Sequence, residues 1–277
     1  MKKACIIGYP VKHSRSPVIH GYWLKRHGIE GSYGKEEVKP EDFAAFLKAM
    51  PSMGYAGANV TLPHKLDLLA LADHCSDGAR KIGAANMLWF ENGRLHADNT
   101  DFVGFIASLD AEAPGWDDRR DVALVLGAGG ASRAIVHGLL ARGVSRVMVA
   151  NRTLATAEAM ARDFGRAIVP CAWQDAGRYV GEANLIVNTT SLGMSGQPLL
   201  DLPLDTAGPE TVLADAVYVP LRTALITTAA ARGLRAVGGL GMLLHQAVPS
   251  FERWFGLRPE VTPELTRLVE ADVLGSR

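Results

Sequence analysis

The chain has 277 residues, 48% of them hydrophobic, enough for one large domain or two modest ones with cores of their own, and too apolar to stay unfolded. Its 29 basic residues equal its 29 acidic ones, so it lacks the basic excess of a protein that works on nucleic acid or an anionic membrane. Three scattered cysteines, Cys5, Cys75 and Cys171, supply neither a metal-ligand spacing nor a disulfide framework. No apolar run nears the roughly 20 residues of a membrane span. The opening Met1-Lys2-Lys3 is followed by an apolar run too short for a signal peptide, and a cytoplasmic protein without a metal is expected.

Lys3–Gly8 is predicted as a strand. Ser16 and Pro17 form an N-cap and first-position pair for a helix that stops at Gly28. Phe43, Phe46, Leu47 and Met50 recur at helical spacing. Ala58–Leu62 reads as a strand with Pro63 opening the next helix, and Ala85–Phe90 and Arg94–Ala97 as strands joined by the turn Glu91-Asn92-Gly93. By composition, the polar Pro/Gly stretch Ala111–Arg120 is the best boundary candidate. After it, strands at Val122–Leu126, Arg146–Ala150, Asn184–Thr189 and Val212–Val217 alternate with helices at Ala131–Ala141 and Thr153–Phe164. That series predicts a parallel sheet covered on both faces. Met242–Phe255 and Pro263–Val273 end the chain as helices, the second capped by Thr262.

The strand at 122–126 runs into Gly127, Ala128, Gly129, Gly130, Ala131 and Ser132. The first glycine permits a tight turn and the second lets the backbone approach a pyrophosphate, while the helix start offers free N–H groups. The third small position is serine. Such turns also serve packing alone, so the end of the next strand carries weight. An NAD site places an acid there for the ribose 2′-hydroxyl; this chain has Asn151, Arg152 and Thr153. Arg152 suits a 2′-phosphate, with Thr153 as a further donor. The alternative is an ordinary surface arginine. NADP(H) is the expected cofactor.

Four polar clusters in the first part exceed what folding asks for. Ser14 and Ser16 flank Arg15 at a helix start, a donor set suited to a carboxylate, although capping by Ser16 also explains part of it. Asn59 and Thr61 lead to Lys65, one turn past a strand end, where a lysine can act as acid or base; the plain alternative is a solvated lysine. Asn86 stands in a strand of small residues. Asp98, Asn99, Thr100 and Asp101 precede a helix, and a carboxylate at Asp101 near Lys65 would make a proton-handling pair. Later come Asp215, Ala216, Tyr218 and Pro220, then Gly239, Gly241, His245 and Gln246. Gln246 lies on an apolar helix face, where an amide needs a partner; His245 reads as exposed.

From Gly8 to about Gln246 these runs, in order, resemble the shikimate dehydrogenase family: HSRSP at 13–17, NVTLPHK at 59–65, GAAN at 83–86, NTD at 99–101, LGAGGASRA, NRT at 151–153, NTTSLGM at 188–194, DAVYVP and GMLLHQ. The resemblance implies an α/β fold of two domains. A mixed α/β substrate-binding domain would occupy residues 1–103 and a Rossmann-type NADP domain 104–238, with helices in 239–277 returning to the first. It implies reversible, NADPH-dependent reduction of 3-dehydroshikimate to shikimate in aromatic amino-acid biosynthesis, with a small-molecule substrate and no membrane or nucleic-acid partner; oligomeric state is not legible, and a homodimer is left open. Lys65 would be the general acid/base and Asp101 its partner. Ser14, Ser16 and Tyr218 would hold the substrate carboxylate, and Thr61, Asn86, Asp101 and Gln246 its ring hydroxyls. Gly127 to Ala131, with Asn151, Arg152 and Thr153, would hold NADP, with Ala216, Gly239 and Asp77 near the nicotinamide. Two departures from the family pattern, Phe102 after Asp101 and Ala224 in place of a common proline, bear on fine specificity. A quinate dehydrogenase, or an NADP(H) sensor without activity, is the alternative; the intact Lys65 and Asp101 argue against the sensor.

Overall fold

A computed structural model describes residues 1–275. The chain forms two compact units, one of Met1–Asp101 with the stretch from Gln246 onward, the other of Phe102–His245. Chain order in the first unit is β1 (Lys2–Gly8), α1 (Ser16–Arg26), β2 (Gly31–Glu37), α2 (Phe43–Ala49), β3 (Tyr55–Val60), α3 (Lys65–Leu71), β4 (His74–Cys75), α4 (Asp77–Ile82), β5 (Met87–Glu91) and β6 (Arg94–Asp98). Then come α5 (Asp101–Glu112), β7 (Val122–Leu126), α6 (Gly130–Ala141), β8 (Arg146–Asn151), α7 (Leu154–Phe164), β9 (Ile168–Ala172), β10 (Leu185–Asn188), β11 (Val212–Asp215), α8 (Ala224–Ala231) and β12 (Arg235–Val237), with α9 (Gly239–Phe255) and α10 (Pro263–Gly275) last.

The first sheet has the order β2-β1-β3-β5-β6-β4. β1 is parallel to β2 and β3, whereas β5 is antiparallel to both β3 and β6. This reversal brings the start of β5 to the same sheet edge as the ends of β1, β3 and β6, so Asn86 and Asp98 stand beside Gly8 and Thr61. The hairpin between β5 and β6 turns on Asn92 and Gly93, both at positive φ (52° and 73°), as expected of an Asn-Gly turn. Gly57 on β3 is required by close packing, since a Cβ there would overlap the Trp254 indole nitrogen and the Leu88 carbonyl oxygen. Behind it Trp23, Phe251 and Trp254 are almost wholly buried. His20 is stacked flat on Tyr33 among them, ring centroids 4.0 Å apart and 3° from parallel.

The second sheet, β12-β11-β10-β7-β8-β9, is parallel throughout. Along β7, Val122, Leu124 and Leu126 face one apolar layer and Ala123 and Val125 the other, the two-sided burial that the apolar runs imply. Strand order reverses between β7 and β10, and ligands of doubly wound sheets bind at that point, beyond the strand ends.

Several local expectations are corrected. Ser16 is not the N-cap of α1: Arg15 is, with φ −93° and ψ −6°, because the Ser14 hydroxyl accepts the Ser16 N–H and winds the chain one residue early. Pro63 does not open a helix. A turn closed by His64 N–H on the Thr61 carbonyl at 3.1 Å intervenes, ending β3 at Val60 and starting α3 at Lys65. The stretch Ala111–Arg120 is no domain boundary but lies within the second unit, where Trp116, buried and donating to Asp110 at 2.8 Å, pins it. His245 is half-buried rather than exposed, and burial lowers its pKa.

Candidate active site

In the first unit the polar residues of one sheet edge form a continuous network. Lys65, first residue of α3, has its Nζ 2.5 Å from Asp101 Oδ2. The carboxylate is nearly buried and the lysine side chain 21% exposed, so the pair is held yet reachable. The other oxygen, Asp101 Oδ1, accepts from Asn86 Nδ2 at 2.7 Å. Asn86 Oδ1 accepts the Thr100 N–H at 2.7 Å and its hydroxyl at 3.3 Å. The Asp101 N–H goes to Asn99 Oδ1 at 3.0 Å, and Asn99 Nδ2 to the Ala84 carbonyl. Every member of the 98–101 run is therefore accounted for, Asp98 by accepting the Ser76 hydroxyl at the cap of α4. Asn99 and Thr100 had no role read from sequence; they fix the amide and the carboxylate that meet the lysine.

Lys65 is anchored through its neighbours. His64, buried and stacked on Phe43 at 4.3 Å, places its Nε2 2.7 Å from the Val38 carbonyl. The Lys65 carbonyl accepts the Ala85 N–H. Asn59 accepts from the Tyr33 hydroxyl at 2.8 Å and donates to Ser250 Oγ at 2.9 Å. Ser250 lies one turn beyond Gln246 on α9, so both residues share a helix face, and that face is turned to β3. Thr61 follows β3 at the edge of β1, its methyl 2.5 Å from where a Cβ on Gly8 would sit.

The Ser14 and Ser16 hydroxyls are 3.3 Å apart at the start of α1. Arg15, read from sequence as part of a carboxylate-binding set, points elsewhere, pairing with Asp272 of α10 at 2.7 Å. Asp77 opens α4 and is exposed.

In the second unit, Gly127 has φ +105°, a backbone region that favours glycine. Nothing lies within 4 Å of a Cβ added at Gly129 or Gly130, and Gly129 caps α6 without a side-chain bond. The turn into α6 is thus unobstructed at Gly129 and Gly130, and it lies at the strand-order reversal, beyond the end of β7. Ser132 is fully buried and donates to the Gly127 carbonyl at 2.6 Å, which explains serine at the third small position. Asn151 Nδ2 donates to the Thr153 carbonyl, shaping the 151–153 turn. Thr153 caps α7 without using its hydroxyl, and Arg152 is exposed with no ion pair among the described residues. The loops carrying Ala216 and Tyr218 rest on a buried carboxylate. Asp215 accepts from Thr223 Oγ1 at 2.6 Å, Asn188 Nδ2 at 2.9 Å and the Val217 N–H at 3.0 Å. Burial raises its pKa, opposed by these bonds. Gly239 meets the Ala216 carbonyl so closely that no Cβ fits, so these two residues are neighbours. Phe102 packs on α6, edge-on to His137 at 4.8 Å, and Ala224 is the first residue of α8.

Three family profiles match the chain: "Shikimate dehydrogenase substrate binding domain" over residues 6–88, "Shikimate / quinate 5-dehydrogenase" over 113–198 and "Shikimate 5'-dehydrogenase C-terminal domain" over 239–263. The shikimate dehydrogenase (NADP(+)) of Brucella abortus is 57% identical over 98% of this chain and 95% of its own. A shikimate 5-dehydrogenase from Thermus thermophilus, solved with NADP(H) and shikimate, has a TM-score of 0.85 at 36% identity, covering 99% of this chain and all of that one. A quinate dehydrogenase from Corynebacterium glutamicum, solved with NAD, gives 0.90 at 26% identity over 98% of this chain and all of that one. With its motifs gathered at one sheet edge and one glycine turn, and with relatives matched end to end, this chain belongs to the shikimate dehydrogenase family.

Proposed function

We propose that this chain catalyses the reversible, NADPH-dependent reduction of 3-dehydroshikimate to shikimate, a step towards the aromatic amino acids. The observation that carries the reading is the Lys65–Asp101 pair, buried on the carboxylate side and open on the lysine side. An ammonium has three N–H donors; one serves Asp101, leaving others for a substrate oxygen. In the reducing direction Lys65 gives a proton to the oxygen of the reacting carbon, and in the oxidising direction takes it back. Asp101 orients it, and Asn86 and Thr100 orient Asp101. NADP(H), when bound, supplies or accepts the hydride.

The assignment of parts is also a proposal. Residues 1–103 bind the substrate, residues 104–238 NADP, and the helices in 239–277 complete the first domain, joining its compact unit from Gln246 onward. Ser14, Ser16 and Tyr218 hold the carboxylate; neutral donors do so at modest desolvation cost. Thr61, Asn86, Asp101 and Gln246 read the ring hydroxyls, and an analogue lacking one leaves a polar group unpaired. Gly127, Ala128, Gly129, Gly130 and Ala131 cradle the pyrophosphate. Asn151, Arg152 and Thr153 take the 2′-phosphate, and Asp77, Ala216 and Gly239 lie near the nicotinamide. The enzyme acts in the cytoplasm, and a homodimer is compatible with this chemistry. Among the described residues no helix is long and apolar enough to cross a membrane.

The test is the absorbance of NADPH formed from shikimate by wild type and Lys65→Ala. The variant loses about 10²- to 10⁴-fold in kcat while KM for shikimate moves far less. Equal losses in both, or none, remove Lys65 from the chemistry. Quinate oxidation is the second reading, favoured by the likeness to a quinate dehydrogenase and opposed by Arg152, where an NAD enzyme carries an acid. Turnover of both acids with both cofactors separates the two.

A further inference from the structure

Arg15 is the member of the 14–16 run to which the proposed function gives no task. Its side chain, 15% exposed, meets the Asp272 carboxylate at 2.7 Å. Its carbonyl starts α1, accepting the Val18 and Ile19 N–H groups at 3.0 and 3.3 Å, and the hydroxyls on either side of it are 3.3 Å apart. One residue, set between the two serines, therefore carries the helix start and a link to the last helix of the chain.

The α10 segment is also tied to the other half of α1. Trp23 Nε1 donates to the Glu260 carbonyl at 3.0 Å, and Tyr22 and Arg26 reach Glu264 at 2.9 and 3.0 Å. The last two contacts are exposed, where ion pairs contribute little. The Arg15–Asp272 pair is more shielded and is the contact adjacent to the serines.

We propose that Asp272 is a positioning residue for the substrate carboxylate: by holding Arg15 it keeps the Ser14 and Ser16 hydroxyls in one arrangement before the ligand arrives. A preformed donor pair saves the ordering cost that a loose turn incurs on binding. The inference rests on the reading of these serines as carboxylate ligands.

Steady-state kinetics of the full chain with shikimate and NADP test it. Asp272→Asn raises KM for shikimate roughly three- to tenfold, with kcat within about twofold and KM for NADP unchanged. Arg15→Lys, which keeps a cation facing Asp272, retains a KM near wild type. Glu264→Gln, at the far end of the same helix pair, leaves KM unchanged, so a general loosening of α10 is told apart. In a Ser14→Ala/Ser16→Ala background, Asp272→Asn adds no further loss. An unchanged KM in Asp272→Asn while the serine variant binds poorly overturns the inference and leaves the serines as ligands. Additive losses in the combined variant also overturn it. A serine variant with unaltered KM overturns both readings.

Discussion

His20 should make this protein acid-sensitive by an amount that one substitution removes. Its ring is fully buried, with no hydrogen-bond partner at either nitrogen among the described residues. Burial drives its pKa down from 6.5 to about 3. The folded chain therefore keeps a neutral imidazole where the unfolded chain takes up a proton. A lowered pKa in the folded state gives stability that is complete above pH 6.5 and is withdrawn as pH falls towards 3. At about 1.4 kcal/mol per pH unit, the ceiling is about 5 kcal/mol, and about 2 kcal/mol is gone by about pH 5. Other groups titrate in the same range, so the measurement is a difference. Urea unfolding of wild type and His20→Phe is compared at about pH 7.5 and about pH 5. Phenylalanine keeps a flat ring against Tyr33 and cannot take a proton. The wild type should lose about 2 kcal/mol more than the variant over that interval. Equal losses would show that the buried imidazole is not what the acid attacks.

Gly57→Ala should cost at least about 3 kcal/mol, because the new methyl meets a carbonyl and an indole that are themselves bonded at 3.0 Å; an unchanged urea midpoint would refute the close approach. Asp215→Ala strands three donors in a buried loop and should lower stability by about 3 kcal/mol or more, read from chemical denaturation. Arg152→Ala should weaken NADP binding about ten- to hundredfold with little change for NAD, measured by titration of each nucleotide.

The second sheet was legible because its strands are apolar on both faces and the glycine turn has a local conformational demand. The role of Ser132 was not, since nothing in the run says that its hydroxyl turns back to the Gly127 carbonyl. β2 went unread for a physical reason. Gly31 to Glu37 is an edge strand of polar and small residues, without the alternation that one buried face imposes. α4 is under two turns long and shows only its Ser76 cap. The 111–120 stretch has the composition of a linker, yet a buried tryptophan makes it a surface turn. In the site, residue types were legible and directions were not. Lys65 and Asp101 stood out as a pair, but Arg15 looked like a third donor to a carboxylate. Its partner comes from the far end of the chain, and no local pattern encodes that. Asn99 and Thr100 read only as members of a polar run before a helix, because the acceptor that Thr100 serves lies beyond that run, just before β5.

The amide of Asn86 cannot be turned over. Its oxygen faces two donors of Thr100 and its nitrogen faces a carboxylate, so the flipped rotamer would set donor against donor and acceptor against acceptor. The one N–H left over has a fixed polarity: it can only give. Under the proposed function that N–H meets a ring hydroxyl at its lone pair, so the hydroxyl's own proton must turn to another acceptor. The amide thus reads its hydroxyl in one hydrogen-bond sense only.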